Sequence, residues 1–211
     1  MKHEWRKKEK GLYLPKKIPE IIILPKHNFF MIKGAVNPND DLFVEYIGVL
    51  YSLSYGVKMS PKSGETPTGY FDYTVYPLEG VWDLSEEAKK SYNKNDKIDK
   101  DSLVFNLMIR QPDFVTDEFA KEIIEKIKKK KPHRFLDEIE FGAIEDGKCV
   151  QMMHLGSYDN EPESFNQMEI FCKENNLKRI FDNHREIYLT DARKVAPEKL
   201  KTVLRFRVEN L

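Results

Sequence analysis

The chain has 211 residues, of which 40% are hydrophobic and 33% charged, and its 35 lysines and arginines balance its 35 aspartates and glutamates. This composition excludes a collagen-like, low-complexity or wholly disordered chain, and no apolar run approaches the ~20 residues of a membrane-spanning helix. The basic N-terminus has no apolar signal core, and Cys149 and Cys172 form no CxxC motif. We therefore expect a cytoplasmic protein with reduced cysteines and no disulfide framework.

The positive charge is concentrated in two short segments. Residues 1–33 carry nine positive and three negative charges, and residues 121–134 carry seven positive and two negative charges. Basic arms can contact phosphate, but these segments lack interleaved aromatic residues and any zinc-finger or basic-zipper pattern. We interpret residues 1–26 as a basic N-terminal extension and expect no DNA-binding domain.

The first half of the chain predicts a strand, a helix and two strands, in that order. Residues 27–35 form an apolar strand pattern, and apolar residues recur at helical spacing from 41 to about 55. Alternating residues then predict strands at 70–82 and 103–109. The polar residues 84–101 between these two strands are predicted to form a long surface connection.

The second half repeats that order. Residues 148–158 read as a strand, Asn160 is placed to cap a helix that reaches Cys172, and two short strands follow at 186–189 and 202–208. The two halves are joined by an amphipathic helix at about 116–130, which Pro132 ends.

We therefore predict an α+β fold with two βαββ units, repeat one at about 27–112 and repeat two at about 139–211. Neither unit alone buries enough apolar surface to be stable. Side by side, they would form one antiparallel sheet with two helices over it. A ligand cleft would then lie between the repeats.

The usual cofactor and metal motifs are missing from the sequence. It contains no GxGxxG, GxxxxGK[ST], HExxH, GxSxG or EF-hand loop, and its five histidines show no metal-ligand spacing. A site built on His154 and His184 has little support. We expect no metal site and no bound cofactor.

Acidic and aromatic residues are the remaining candidates for a functional site. A carboxylate between apolar strand residues is costly to bury unless it is paired or protonated, and Glu79 and Glu186 both have this setting. Tyrosines and a tryptophan lie near them in the predicted strands and in the preceding helix: Tyr46, Tyr51, Tyr55, Tyr70, Tyr73, Tyr76, Trp82 and Tyr188.

Each candidate also has a purely structural interpretation. Backbone amides beside Gly80 could satisfy Glu79, and an arginine at 185, 193 or 205 could pair with Glu186. The tyrosines could be core residues whose hydroxyls reach water. Strand alternation places Glu186 and Tyr188 on one face of their strand and Ile187 on the other. A desolvated carboxylate among ring faces suits a flat, cationic or aromatic guest.

Five stretches together resemble the GyrI-like small-molecule-binding family, which also forms the effector-binding part of some multidrug-sensing transcription regulators. The stretches are Pro77–Trp82, Met108–Thr116, His154–Pro162, Glu186–Asp191 and Pro197–Leu200. The resemblance covers about residues 27–211 and implies a duplicated βαββ domain. The regulators carry an N-terminal helix-turn-helix, for which the first 26 residues are too short.

The resemblance also implies a site and a function. Glu186 corresponds to the family's buried glutamate, and Trp82 and Tyr70 are the nearest matches to the residues that line its cleft. Some stand-alone members hydrolyse the cyclopropane of cyclopropanoid DNA-alkylating antibiotics. This implies a cofactor-independent hydrolase with Glu186 as the base, Tyr188 or Tyr70 as electrophilic partner and Trp82 as stacking platform. Further ligand-binding candidates are Tyr46, Tyr55, Tyr73 and Glu79.

Two other functions remain open from the sequence. The protein could bind flat cationic ligands without catalysis, as a sensor or a sequestering protein. It could also bind a partner, such as a nucleic-acid enzyme, through basic segments 1–17 and 121–134. We expect a small-molecule ligand, no membrane partner, and a monomer or homodimer.

Overall fold

The computed structural model describes residues 2–91 and 99–211, and these divide into two compact units. The first unit contains residues 2–3 and 27–144, and the second contains residues 4–26 and 145–211. Residues 92–98 of the predicted surface connection lie outside the described residues. In the described part of the chain, no helix combines the length and apolar character needed to cross a membrane.

The first unit is built on three antiparallel strands. The middle one is β3 (Leu103–Gln111), which pairs with β1 (Glu20–Gly34) through Phe30↔Ile109 and with β2 (Leu78–Leu84) through Trp82↔Phe105. The first seven residues of β1 belong to the second unit. The helices of the first unit are α3 (Asp41–Met59), α4 (Glu86–Ser91) and α5 (Asp117–Lys130).

Helix α3 is the main helix of this unit, and its sequence explains its extent. The negative charge of Asp41, in the first turn, interacts favourably with the positive end of the helix dipole. One apolar face of the helix, which includes Leu50, Leu53 and Val57, is buried. The helix continues into a short 3₁₀ turn that ends at Gly64. A positive φ of 86° there is readily adopted only by glycine.

The second unit is built on β7 (Lys201–Asn210). On one edge β7 pairs antiparallel with β4 (Glu140–Leu155), and on the other with β6 (His184–Tyr188) and β5 (Leu177–Arg179). Both Met153 of β4 and Ile187 of β6 oppose Val203, which defines the two edges. The helices are α1 (Trp5–Lys8), α2 (Lys10–Tyr13) and α6 (Glu161–Glu174).

Helix α6 covers an apolar cluster in the second unit. Met168 and Cys172 of the helix pack in that cluster with buried residues of β4, β5 and β7, which are Val150, Met152, Leu177, Leu204, Phe206 and Val208. The helical spacing of Met168 and Cys172 explains why one face of α6 is buried while Glu163 and Asn166 are exposed. This packing holds the start of α6 beside β6.

The α+β prediction and the antiparallel pairing are confirmed, and the linking helix predicted at 116–130 is α5. Its cap is Thr116, whose Oγ1 accepts a hydrogen bond from the Phe119 amide at 3.2 Å. The division into two βαββ repeats stays a prediction, as does the division of the chain into an extension and one domain.

The predicted strand at 70–82 is wrong in its first half. Only Leu78–Leu84 is a strand, and Tyr73 makes an isolated bridge to His3. The alternating aromatic residues in this stretch pack on Phe114, which contacts the rings of Tyr70, Phe71 and Tyr73, instead of forming a ladder. Pro77, which has no amide hydrogen, precedes the strand.

The predicted basic extension has ordered, packed structure. Residues 5–13 form α1 and α2, and β1 begins at Glu20 and not at residue 27. Trp5 and Tyr13 are each only 3% exposed and lie 5.0 Å apart between ring centroids. Burial of the two apolar rings drives this packing. The prediction of an extension was based on the lysines around these rings.

Candidate functional site

The predicted glutamate, Glu186, lies buried in β6 of the second unit. Strand alternation places it on the same face as His184, and its Oε1 is 2.9 Å from His184 Nε2. Ile187 points the other way and is completely buried. Glu186 itself is 8% exposed.

A second carboxyl group, that of Glu161, lies against Glu186. Glu161 begins α6, is 7% exposed and shares a side-chain hydrogen bond with Glu186. Burial, followed by the negative charge of Glu186, raises the pKa of Glu161 well above the ordinary carboxyl value. These two effects favour the protonated form of Glu161, which in that form can donate a hydrogen bond to Glu186.

Together Glu161, His184 and Glu186 form what we call the carboxylate–histidine cluster. One ligand atom from each residue lies within 4.8 Å of the other two. The Oε1 of Glu161 is buried and has no hydrogen-bond partner among the residues that the structure describes. Such a buried polar atom is costly, because it has lost its contact with water without a replacement.

Two tyrosines adjoin this cluster. The rings of Tyr158 and Tyr188 are 6.1 Å apart and meet edge to face. Burial raises the pKa of Tyr158, and the negative charges of Glu186, Glu161 and Asp191 raise it further. The Tyr158 hydroxyl therefore stays protonated and can donate a hydrogen bond.

Buried polar contacts fix the start of α6, which carries Glu161. Ser164, one turn after Glu161, has its Oγ 2.9 Å from His154 Nδ1, and His154 Nε2 is 3.0 Å from the Ser157 carbonyl oxygen. Because a carbonyl oxygen only accepts, His154 Nε2 carries the proton. His154 therefore serves this packing and is not a partner of His184.

A second group of contacts fixes His184. Arg179 donates hydrogen bonds to the carbonyl oxygens of Phe181, Asp182 and Asn183, the turn directly before β6. The ring of Phe165, from α6, lies edge to face with the imidazole of His184 at 4.6 Å. These contacts hold the histidine in place beside Glu186.

The arginines considered as partners of Glu186 make other contacts. Arg185 pairs with Asp146 at 3.0 Å, and Arg193 pairs with Asp191 at 2.8 Å. Arg205 donates to the Gln151 side-chain oxygen at 2.7 Å. Glu186 itself contacts His184 and lies in the cluster with Glu161.

The other predicted residues lie in the first unit, and the aromatic ones are at three places: around Phe105, around Phe114 and beside Tyr51. Trp82 and Tyr46 are buried and both contact Phe105, and Tyr46 also stacks on Phe135 at 3.9 Å. Glu79, in β2, is buried at 2% exposure.

The remaining two places hold three tyrosines. Tyr70 and Tyr73 both pack on Phe114; Tyr70 donates to the Lys58 carbonyl oxygen at 2.8 Å, and Tyr73 is 1% exposed. Tyr55 is 52% exposed beside Tyr51. The roles of all these residues stay predictions.

The sequence analysis missed Glu161, Tyr158 and the contribution of His184. Glu161 and Tyr158 lie within His154–Pro162, one of the stretches that carry the family resemblance, so a signal was available. His184 stands two residues before Glu186, which is the spacing of neighbours on one strand face.

Comparison with known proteins gives a family and full-length relatives. A sequence model of the GyrI-like small molecule binding domain matches residues 18–209. A crystal structure of a hydrolase from Listeria innocua is 36% identical, with 99% of this chain and 100% of that chain covered and a TM-score of 0.86. For a further Listeria innocua hydrolase structure the values are 38%, 99%, 100% and 0.88.

A more distant structure is similar in fold alone. The EcmrR C-terminal domain is 15% identical, with 92% of this chain and 98% of that domain covered and a TM-score of 0.52. No curated protein matches the sequence at a significant level.

Proposed function

The chain belongs to the GyrI-like small-molecule-binding family, and from this premise we propose that it is a cofactor-independent hydrolase of small electrophilic compounds. We propose cyclopropanoid DNA-alkylating antibiotics as the substrates and detoxification as the outcome. The observation that carries the proposal is the buried Glu186, held by His184 and Glu161. Full-length relatives that are hydrolases support a catalytic role.

Glu186 is suited to act as a general base. Its side chain shares a hydrogen bond with Glu161, whose pKa is raised by burial and by the negative charge of Glu186. A desolvated carboxylate fixed by two neighbours can hold a water molecule and accept its proton. General-base catalysis of this kind accelerates a reaction by ~10²–10⁴-fold.

The proposed reaction is an addition of water to a cyclopropane conjugated to a dienone. The water oxygen forms a bond to a ring carbon as Glu186 takes one of its protons, and a cyclopropane carbon–carbon bond breaks. The bonding electron pair moves to the carbonyl oxygen, which becomes a phenolate and is then protonated. The strained ring is already reactive, so no metal or redox cofactor is required by this chemistry.

Hydrogen-bond donors would stabilise the developing phenolate. Tyr188 has this role in our proposal, and Tyr158, which stays protonated beside Glu186, is a second candidate. The roles predicted for Tyr70 as a donor and for Trp82 as a stacking platform belong to the same proposal. So do the ligand-binding roles of Tyr46, Tyr55, Tyr73 and Glu79.

The βαββ duplication is also part of what we propose. The order β1, α3, β2, β3 in the first unit and β4, α6, β6, β7 in the second supports it, and β5 is an addition to the second unit. The cytoplasmic location and the monomeric or homodimeric state stay predictions.

Turnover of a cyclopropanoid compound by the purified chain tests the proposal. We expect mass spectrometry to detect a product heavier than the compound by one water molecule. Glu186→Gln removes the base and keeps the size of the side chain, so we expect a rate at least ~10²-fold lower. The matched control is Glu163→Gln, an exposed position two residues from Glu161 on α6. An unchanged rate in Glu186→Gln would refute the assigned role.

A binding protein without catalysis is the second candidate. The family match favours it, because small-molecule binding is the property that the family description names. Saturable quenching of tryptophan fluorescence by the same compound, with no water adduct formed over the time of the assay, would support this function. It would also refute the hydrolase proposal.

A further inference from the structure

The carboxylate–histidine cluster brings together the kinds of atom that bind a transition-metal ion. Glu161 and Glu186 offer carboxylate oxygens, and His184 offers Nε2. All three residues come from the second unit, two from β6 and one from the first turn of α6. Arg179 holds the turn directly before His184 through the Asn183 carbonyl oxygen, and the ring of Phe165 packs against His184. The packing of α6 on the apolar cluster holds the helix that carries Glu161.

An unsatisfied atom in the cluster points to a ligand. Glu161 is 7% exposed, and its Oε1 has no hydrogen-bond partner in the described part of the chain. A divalent cation could bind both carboxyl groups and the imidazole together, and its two positive charges would balance two carboxylates.

The geometry is compatible with a four-coordinate ion. Zinc binds histidine nitrogen at ~2.0–2.1 Å and carboxylate oxygen at ~2.0–2.2 Å, so two donors on a tetrahedral zinc ion lie about 3.4 Å apart. In the cluster, His184 Nε2 and Glu186 Oε1 are 2.9 Å apart, and no two of the three donor atoms are more than 4.8 Å apart. The measured separation is about 0.5 Å shorter than the required value, and the limit on the other two separations includes that value.

The donor set also selects the class of ion. An imidazole nitrogen suits zinc, copper, iron and nickel, whereas magnesium and calcium prefer sites made only of oxygen ligands. Three protein ligands leave a fourth position on the ion for water or another small ligand. The expected ion is therefore a borderline divalent transition metal.

We propose that Glu161, His184 and Glu186 form a binding site for a divalent transition-metal ion, with Zn²⁺ as the probe ion. Binding does not depend on the proposed hydrolase function. A consequence does rest on it: a bound ion would occupy the oxygen with which Glu186 takes the proton from water, and Zn²⁺ would therefore inhibit hydrolysis.

The test is a zinc titration of the full chain, freed of any affinity tag, in competition with a chromophoric chelator. We expect one Zn²⁺ per chain. In His184→Gln and Glu161→Gln, each of which removes one ligand, we expect the affinity to fall at least ~10-fold. Glu163→Gln and His133→Gln are the matched controls, since these residues lie outside the cluster, and we expect them to bind as the unaltered chain does.

Two further measurements keep the test independent of folding in the variants. Co²⁺ bound by the unaltered chain should give the visible absorption bands of a low-coordinate site, and Zn²⁺ should shift the side-chain ¹⁵N resonances of His184. The site would be overturned if the unaltered chain failed to bind Zn²⁺. It would also be overturned if His184→Gln and Glu161→Gln bound Zn²⁺ with the same affinity as the unaltered chain.

The hydrolysis assay then separates the two proposals. Zinc binding without any detectable hydrolysis would leave the metal site standing and refute the hydrolase function. Hydrolysis that Zn²⁺ leaves unchanged or accelerates, at concentrations that fill the site, would overturn the inhibition.

Discussion

At the scale of single residues, the second unit holds two carboxyl groups in contact where water is largely excluded. Two ionised carboxylates at hydrogen-bond distance repel each other, and burial adds to the cost of charging them. The pKa of Glu161 is therefore raised, first by burial and then by the charge of Glu186, and the two side chains share a hydrogen bond. This unequal pair is the physical basis of the proposed base.

The two cysteines allow a prediction about reactivity. Burial raises the pKa of both Cys149 and Cys172 to about 11 from 9.0. Because the thiolate is the reactive form, we expect both thiols at pH 8 to react with a disulfide reagent at least ~10-fold more slowly in the folded chain than in denaturant. Rapid reaction of either thiol in the folded chain would contradict this.

The same pKa shifts predict a dependence of stability on pH. A pKa that is raised in the folded state stabilises the fold fully below the unfolded value of 9.0, and this contribution is lost as the pH rises through about 11. The contribution can be isolated by comparing urea unfolding of the chain and of Cys149→Ala between these pH values. Lysines and tyrosines titrate in the unaltered chain and in Cys149→Ala alike, so their contribution cancels in the comparison.

At the scale of elements, the turn before β6 depends on one side chain. Arg179 bonds three successive carbonyl groups, at residues 181–183, and its guanidinium lies over the ring of Phe206 at 4.5 Å. Burial lowers the pKa of Arg179, whose side chain is partly buried. Arg179, on the preceding strand β5, therefore holds the turn that positions His184.

We predict that Arg179→Met lowers the free energy of unfolding by about 1–2 kcal/mol, because it removes the charged donor of three carbonyl groups in this turn, two of them exposed to water. Arg179→Lys should not restore stability, since one ammonium group cannot reproduce the fork of a guanidinium. Urea unfolding measures both. Lys178→Met, at the exposed neighbouring position, is the control and should change stability by less than ~1 kcal/mol. Equal effects at 178 and 179 would refute the role of Arg179.

At the scale of the whole molecule, the N-terminal residues are part of the second unit. Partly buried hydrogen bonds join them to the strands: Arg205 donates to the Leu12 carbonyl oxygen and Gln151 to that of Gly11, each at 2.7 Å. The Met153 amide donates to the Lys16 carbonyl oxygen at 2.8 Å. Their positive charge therefore does not make them a separable arm.

We predict that deleting residues 2–19 destabilises the protein by at least ~3 kcal/mol, since Trp5 and Tyr13 leave a cavity and Arg205 loses a buried partner. Thermal unfolding followed by circular dichroism measures the loss. The combined change Lys8→Gln and Lys17→Gln removes two exposed charges and should alter stability by less than ~1 kcal/mol. A truncated chain as stable as the full one would show that the segment is dispensable.

How far the sequence could predict the site differs from residue to residue. Glu186 and Tyr188 were found because their apolar neighbours alternate along a strand, a pattern that depends only on adjacent residues. Glu161 could not be paired with Glu186 in this way, because 25 residues separate them and their contact exists only when α6 packs beside β6. The segment Tyr70–Tyr76 was wrongly predicted as a strand for a related reason. Aromatic side chains that cluster on Phe114 give the same alternating pattern in the sequence as a strand does.

The amino-acid sequence by itself determined the class of fold, most helices and strands, and the two carboxylates, Glu79 and Glu186, that are out of place among apolar strand residues. These follow from periodicity and from the cost of burying charge, which are local properties. Only the tertiary structure decided that Glu186 has a second carboxyl group and a histidine for neighbours, and that the basic N-terminus is packed. Both depend on side chains that are distant in the chain and come into contact when the core forms.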